Sequence, residues 1–227
     1  MGSALAGAKA GLVASLFFAG SISVFNIVLL LAFKTQALSY ISTISSCTGA
    51  VESCYSSLLF VFVPIDDFIR IFVIGILFAI AVGVYFDVLP GPSYMRRTLL
   101  GALIMVVLML FLGLYGEVTS TGQAVLMVIY EGIAVVFYAF IMARLYRRFT
   151  REVEFQSIPA KGKLFVNGRD MTGRKRTFQV GSNQKVEAEG EAKAFRGWLV
   201  SGGVVVKEPK EPKTSIQVNG DGLLKLT

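Results

Sequence analysis

Residues 10–33, between Lys9 and Lys34, carry no charge. As a helix rising about 1.5 Å per residue, that run is about 36 Å long, enough to cross a hydrocarbon core of about 30 Å with some tilt. A cleavable signal peptide has an apolar core of only about 7–15 residues behind a basic start. This run is longer and only Lys9 precedes it, so it is read as a transmembrane helix over 11–33. Further apolar segments follow at 68–89, 98–116 and 122–143. The first of these is closed by Pro90-Gly91-Pro92, because proline cannot donate the helical hydrogen bond and disfavours helix in the residue before it. The expectation is a multi-pass α-helical membrane bundle with four transmembrane helices over residues 1–149 and an outer loop at 35–67. Within that loop Tyr55–Ile65 is apolar but interrupted by Pro64, and is read as an interfacial or re-entrant piece.

The charge is distributed accordingly. Residues 1–150 hold 8 Lys/Arg and 6 Asp/Glu of the chain's 22 and 15, so most of the net +7 belongs to the last third. The apolar share of 54% and mean hydropathy of +0.66 exceed those of a soluble domain. With no histidine, the commonest general acid/base and zinc ligand is missing, which closes Ser-His-Asp and metal-hydrolytic chemistry. No cofactor is expected, and a nucleic-acid partner is not the first inference from the positive charge. Cys47 and Cys54 are spaced C-x6-C, which fits neither a redox C-x-x-C nor paired zinc ligands, and a disulfide in an exoplasmic loop is expected.

Lys9, Arg96, Arg97 and the arginines after 143 lie on one side of the predicted spans, while the other side carries Lys34 and Arg70 beside Glu52, Asp66, Asp67 and Glu117. Both termini are therefore expected to be cytoplasmic in a cell membrane, with the Cys47/Cys54 loop outside, where disulfides persist.

Glu131 falls near the middle of the fourth span, where a carboxylate is costly. Two readings stand: a protonated acid bonding neighbouring helices, or part of an ion, proton or substrate path. Asp66, Asp67 and Arg70 cluster at the outer entrance of the second span, either as a mouth for cations or as a solvated helix start with acids at its positive end. Asp87 and Glu117 are read as interfacial. Gly75, Ala79 and Gly83 form a small-xxx-small stripe, for internal packing or for a dimer face. Arg144, Arg147, Arg148 and Arg151 recur at i, i+3, i+4 and i+7, so a helix continued past the membrane would offer all four to lipid phosphates.

After a linker at 150–162, residues 163–227 alternate short β-rich runs with turn signals such as Asn167-Gly168, Ser201-Gly202-Gly203 and Asn219-Gly220. A small all-β domain, a sandwich or a barrel, is expected, with Phe165, Phe178, Val186, Phe195, Trp198, Val205, Ile216 and Leu224 in its core. Asn219-Gly220-Asp221-Gly222 lacks the spaced acids and terminal glutamate of an EF-hand loop and is read as a turn. Arg169, Arg174, Lys175 and Arg176 form a basic strip, read as lying against anionic headgroups in preference to nucleic acid.

Leu164-Phe165-Val166-Asn167-Gly168, Phe195-Arg196-Gly197-Trp198, Ser201-Gly202-Gly203 and Asn219-Gly220-Asp221-Gly222 together resemble the divergent internalin B-repeat family of small β modules, over residues 164–226. The resemblance implies a compact β-grasp-like or sandwich module used for structure and protein contact, without catalysis. Those modules generally occur as repeats on exported surface proteins, whereas this one is single and expected in the cytoplasm. The leading expectation is a non-enzymatic membrane scaffold or accessory subunit whose partners are the lipid bilayer and either further copies of itself, as a homo-oligomer, or another membrane protein. The alternative is an oligomeric ion channel or transporter subunit with Glu131 in or near the pathway. An intramembrane enzyme is least supported, since no paired acids at matched depth and no Ser/Lys dyad can be assembled.

Overall fold

Ser3 sets the first helix going. Its hydroxyl accepts the Ala6 N–H at 3.1 Å and its carbonyl the Gly7 N–H at 3.0 Å, satisfying two donors that a helix start leaves open. In this computed structural model, which describes residues 2–43, 50–91, 93–111, 121–157, 162–189 and 195–227, α1 therefore covers Ala4–Ala32. There follow α2 (Lys34–Thr43), α3 (Val51–Ser57), a π-helical segment (Leu58–Asp67), α4 (Phe68–Tyr85), α5 (Tyr94–Phe111) and α6 (Thr121–Phe149). Three described helices are long and apolar enough to cross a membrane: Ala4–Ala32, Phe68–Tyr85 and Val128–Phe149. Where the third span was expected, α5 starts earlier than residue 98 because the Ser93 hydroxyl accepts the Arg96 N–H at 3.3 Å, which brings Arg96 and Arg97 into its first turn. Residues 112–116 of that expected span lie outside the described residues.

Tyr55–Ile65 is not a separate interfacial piece, because the chain is helical without a break from Val51 through Tyr85. Pro64 withdraws one donor from the ladder, and the helix continues past it in the wider π winding. The chain divides into two compact units: Ala8–Ile80 with Gly91–Arg144, and Met1–Gly7 with Ala81–Pro90 and Leu145–Thr227.

Within the first unit, α1 and α4 meet through small residues. A Cβ built on Gly11 would overlap the Ala79 side chain, and one on Gly75 would stand 2.5 Å from the Ser15 hydroxyl. The Gly75/Ala79 stripe is thus used inside the chain, where lipid supplies no hydrophobic drive and close backbone approach supplies the attraction. Tyrosines of α6 exploit that approach: the Tyr138 hydroxyl donates to the Gly75 carbonyl at 2.9 Å and the Tyr130 hydroxyl to the Ser21 carbonyl at 2.8 Å. Large apolar side chains such as Phe17, Val24, Leu77 and Phe137 stay exposed on these helices, as expected of surfaces solvated by lipid. A smaller cluster of Ala37, Ile41, Tyr55 and Leu59 packs α2 on α3, with the Tyr55 hydroxyl donating to the Leu30 carbonyl at 2.8 Å.

In the second unit the sheet begins at once. Thr150–Ser157, inside the stretch expected as a linker, is β1, because Val153 and Phe155 alternate between charged neighbours and point into the core. It is followed by β2 (Lys163–Val166), β3 (Arg169–Asp170), β4 (Lys175–Gln179), β5 (Ser182–Glu189), β6 (Trp198–Val206) and β7 (Lys213–Leu226). One mixed sheet results, in the order β3-β2-β5-β7-β1-β4 with β6 also on β7, and it curls around a single core instead of forming two stacked layers. β7 is its spine: β6 lines one edge, while β5 pairs with Lys213–Val218 and β1, in parallel, with Gly222–Leu226.

Asn219-Gly220-Asp221-Gly222 is not a turn but the middle of β7. Gly202 and Gly203 of β6 lie against it so closely that a Cβ on Gly203 would sit on the Gly220 backbone, and the pairing register shifts there. The glycines let both strands bend together and close the curl. Phe178, Val186, Trp198, Ile216 and Leu224 occupy the core as expected, but Phe165 and Val205 point outward and their neighbours Leu164, Val166 and Val204 are buried instead. Phe195 is half-buried and edge-on to Trp198, whose indole N–H donates to the Glu211 carbonyl at 2.8 Å.

Replacing Gly11 by Leu should drive a side chain into Ala79 and lower stability by about 1–3 kcal/mol, the usual range for overpacking. Thermal unfolding in detergent, with Leu12→Ala on the exposed side as control, measures it.

Candidate functional site around Tyr146 and Asp87

Tyr146, one turn before α6 ends, is fully buried. Its hydroxyl donates to the Gly83 carbonyl at 3.1 Å and accepts the Ser3 N–H at 3.1 Å, while its ring lies 4.5 Å from that of Phe86. Gly83 makes this possible, since a Cβ there would stand 2.7 Å from the Ser3 carbonyl and 2.8 Å from the Gly7 Cα. One phenol thus ties together the start of α1, the end of α4 and the end of α6. The Gly2 N–H closes the same corner on the Val84 carbonyl at 2.8 Å.

The sheet is joined to this corner by two routes. Along the chain, α6 passes into β1 with no intervening residue, and the Thr150 hydroxyl donates back to the Tyr146 carbonyl at 2.7 Å. Across space, Asp87 follows Phe86 in the turn after α4, and its carboxylate accepts the Thr177 N–H of β4 at 3.1 Å. The same carboxylate lies 4.0 Å from the Arg176 guanidinium, both side chains being largely buried, and the guanidinium stands 5.3 Å from the Phe178 ring centroid. Desolvation lowers the Arg176 pKa, which Asp87 partly offsets. Asp87, read from sequence as interfacial, is therefore a clasp on an edge strand. The Thr177 hydroxyl is buried and finds no hydrogen-bond partner among the described residues.

The sequence-derived candidates fall in other places. Glu131 is half-buried one turn before Ala134 and Val135, on the stripe that α6 buries through Tyr138 and Met142, and its neighbour Tyr130 stacks on Phe25 at 3.7 Å. Arg70 is exposed in the first turn of α4; Asp66 and Asp67 end the π-helical segment, and their side chains lie outside the described set. Cys54 is in α3, whereas Cys47 lies outside the described residues. Arg144, Arg147 and Arg148 are exposed on α6. Arg151 is not on that helix: it belongs to β1, and its guanidinium folds back to donate to the Arg147 and Thr150 carbonyls at 2.7 Å, capping the end of α6. In the basic strip, Lys175 pairs with Glu154 at 3.1 Å and Arg176 faces Asp87, so two of the four cations are engaged within the fold.

On the outer face of β2, β5 and β7 lies a groove of about 460 Å³, with Phe165 in its floor and Lys185, Lys207, Glu208, Lys213 and Glu187 around it. Lys213 pairs with Glu187 at 2.6 Å. Among the described residues no three His, Cys, Asp or Glu side chains gather into a metal-binding group. Compared with known proteins, the chain matches no family model, and neither a curated protein nor a solved structure matches it significantly.

Thr177→Val keeps the shape and removes the partnerless hydroxyl, so it should raise stability by about 1 kcal/mol; a loss in thermal unfolding would mean that a bound water satisfies the group. The Gln156 amide at 2.7 Å, and after it Lys175, hold the Glu154 carboxyl below its usual range. Its contribution to stability is thus complete above the ordinary glutamate pKa and disappears as pH falls through the lowered value. An NMR titration should show the Glu154 midpoint rise in both Gln156→Leu and Lys175→Met.

Proposed function

We propose that this protein is a four-span membrane scaffold or accessory subunit, with both termini cytoplasmic, that holds its β domain in a fixed attitude for contact with a partner protein or a second copy. The observation that carries this reading is the stiff attachment of the sheet: α6 enters β1 directly, and Asp87 clasps β4. A module tethered for free search would be joined by a flexible linker. The resemblance of residues 164–226 to internalin B-repeat modules, used for protein contact, supports the same reading. The groove beside Phe165 offers an aromatic floor within a charged rim, the make-up of a contact surface.

The test is purification of the full chain in mild detergent, with its native mass measured alongside the Lys185→Glu/Lys207→Glu variant. The expected result is a stoichiometric partner or second copy that the double reversal releases while the fold persists. Ion or solute flux by the purified protein reconstituted alone, abolished by Glu131→Gln, would overturn the proposal in favour of a channel or transporter subunit.

A further inference from the structure

Two routes lead from Tyr146 to Thr177, and together they close a ring. One runs through covalent chain and sheet, from the end of α6 into β1 and across the ladder to β4, where Glu152 is paired with Thr177 and Arg151 with Phe178. The Val180 N–H adds a bond to the Phe149 carbonyl at 3.1 Å. The other runs through the turn after α4, from Gly83 and Phe86, which touch Tyr146, to Asp87, which holds Thr177. That turn is stiff, since the Val88 and Leu89 N–H groups both bond to the Tyr85 carbonyl, at 2.8 and 3.1 Å. A shift of the α4 end against the α6 end must therefore break the ring somewhere.

The two routes are unequal. The first is a ladder of backbone bonds in register over five residue pairs. The second ends on one side-chain hydrogen bond at 3.1 Å and an ion pair at the long distance of 4.0 Å. We propose that the Asp87 clasp is a mechanical release: displacement of the α4 end relative to Tyr146 opens the bond to Thr177 first and uncaps β4, the strand that ends the sheet order. Thr177 is well suited to report this, because β4 bonds to β1 through its other face of N–H and C=O groups and the Thr177 N–H points to the free edge. The inference goes beyond presentation of the β domain, and makes its edge responsive to the membrane helices whatever the partner.

The test perturbs the far end of the ring and reads the near end. In the full chain in nanodiscs, amide hydrogen exchange is resolved to Thr177, with the β5 amides as internal reference and trypsin cleavage after Arg176 as a second readout. Asp87→Ala should speed Thr177 exchange at least tenfold, whereas Asp87→Asn, which keeps an acceptor oxygen, should change it less. Tyr146→Phe should speed it at least threefold with β5 unchanged. Trp198→Phe, which removes a bond elsewhere in the sheet, should leave it within twofold. Once Asp87 is already Ala, adding Tyr146→Phe should have no further effect at Thr177. Should Tyr146→Phe fail to fold, Phe86→Leu serves as the far-end change. The release is overturned if the far-end variant leaves Thr177 exchange unchanged, speeds β5 in the same proportion, or merely multiplies the effect of Asp87→Ala.

Discussion

The hydroxyl of Tyr146 is the contact on which the second unit depends. A phenol buried away from water needs both a donor and an acceptor partner, and here they come from Ser3 and Gly83, residues far apart in the chain. Neither is reachable unless α1 and α4 approach at glycine. The same logic recurs in the first unit at Tyr138 and Gly75. Small residues thin the helix surface, carbonyls become accessible there, and tyrosine is long enough to reach them from a third helix. Van der Waals approach and hydrogen bonding thus select each other's residues.

Much of the architecture is legible in local pattern. The uncharged run before Lys34 reads as a long helix, and Asn167-Gly168, with φ of 50° and 77°, is a tight hairpin where turn chemistry requires one. Serine caps at Ser3 and Ser93 were readable as well, and would have moved two helix starts toward their true positions. What local pattern could not reveal was set by partners distant in sequence. Asn219-Gly220 has the chemistry of a turn, but the glycines of β6 turn it into a bend inside a strand. Phe165 has the residue type of a core position, yet the pleat assigns Leu164 and Val166 inward. Asp87 looks like an interfacial acid because its partner Thr177 lies 90 residues further on.

The basic residues show how one composition serves several ends. An arginine row at helical spacing suggests a lipid-facing set, but the helix ends before its last member. Arg151 then satisfies carbonyls that the end of α6 leaves open, while Arg144, Arg147 and Arg148 stay at the surface. Arg176 is drawn inward by Asp87, and Lys175 is held by acids of β1. Charge counted along a sequence overstates what is free to meet a membrane.

The parallel pairing of β1 with β7 has a consequence for biosynthesis. β1 leaves the ribosome first among the strands, already joined to a helix destined for the bilayer, yet the strand that covers its inner edge is made last. Until residues near Leu224 emerge, Val153 and Phe155 have no completed core to enter, so insertion of α6 precedes closure of the sheet. A nascent chain stalled before β7 would expose an unsatisfied strand at the membrane face, where quality-control proteases could recognise it.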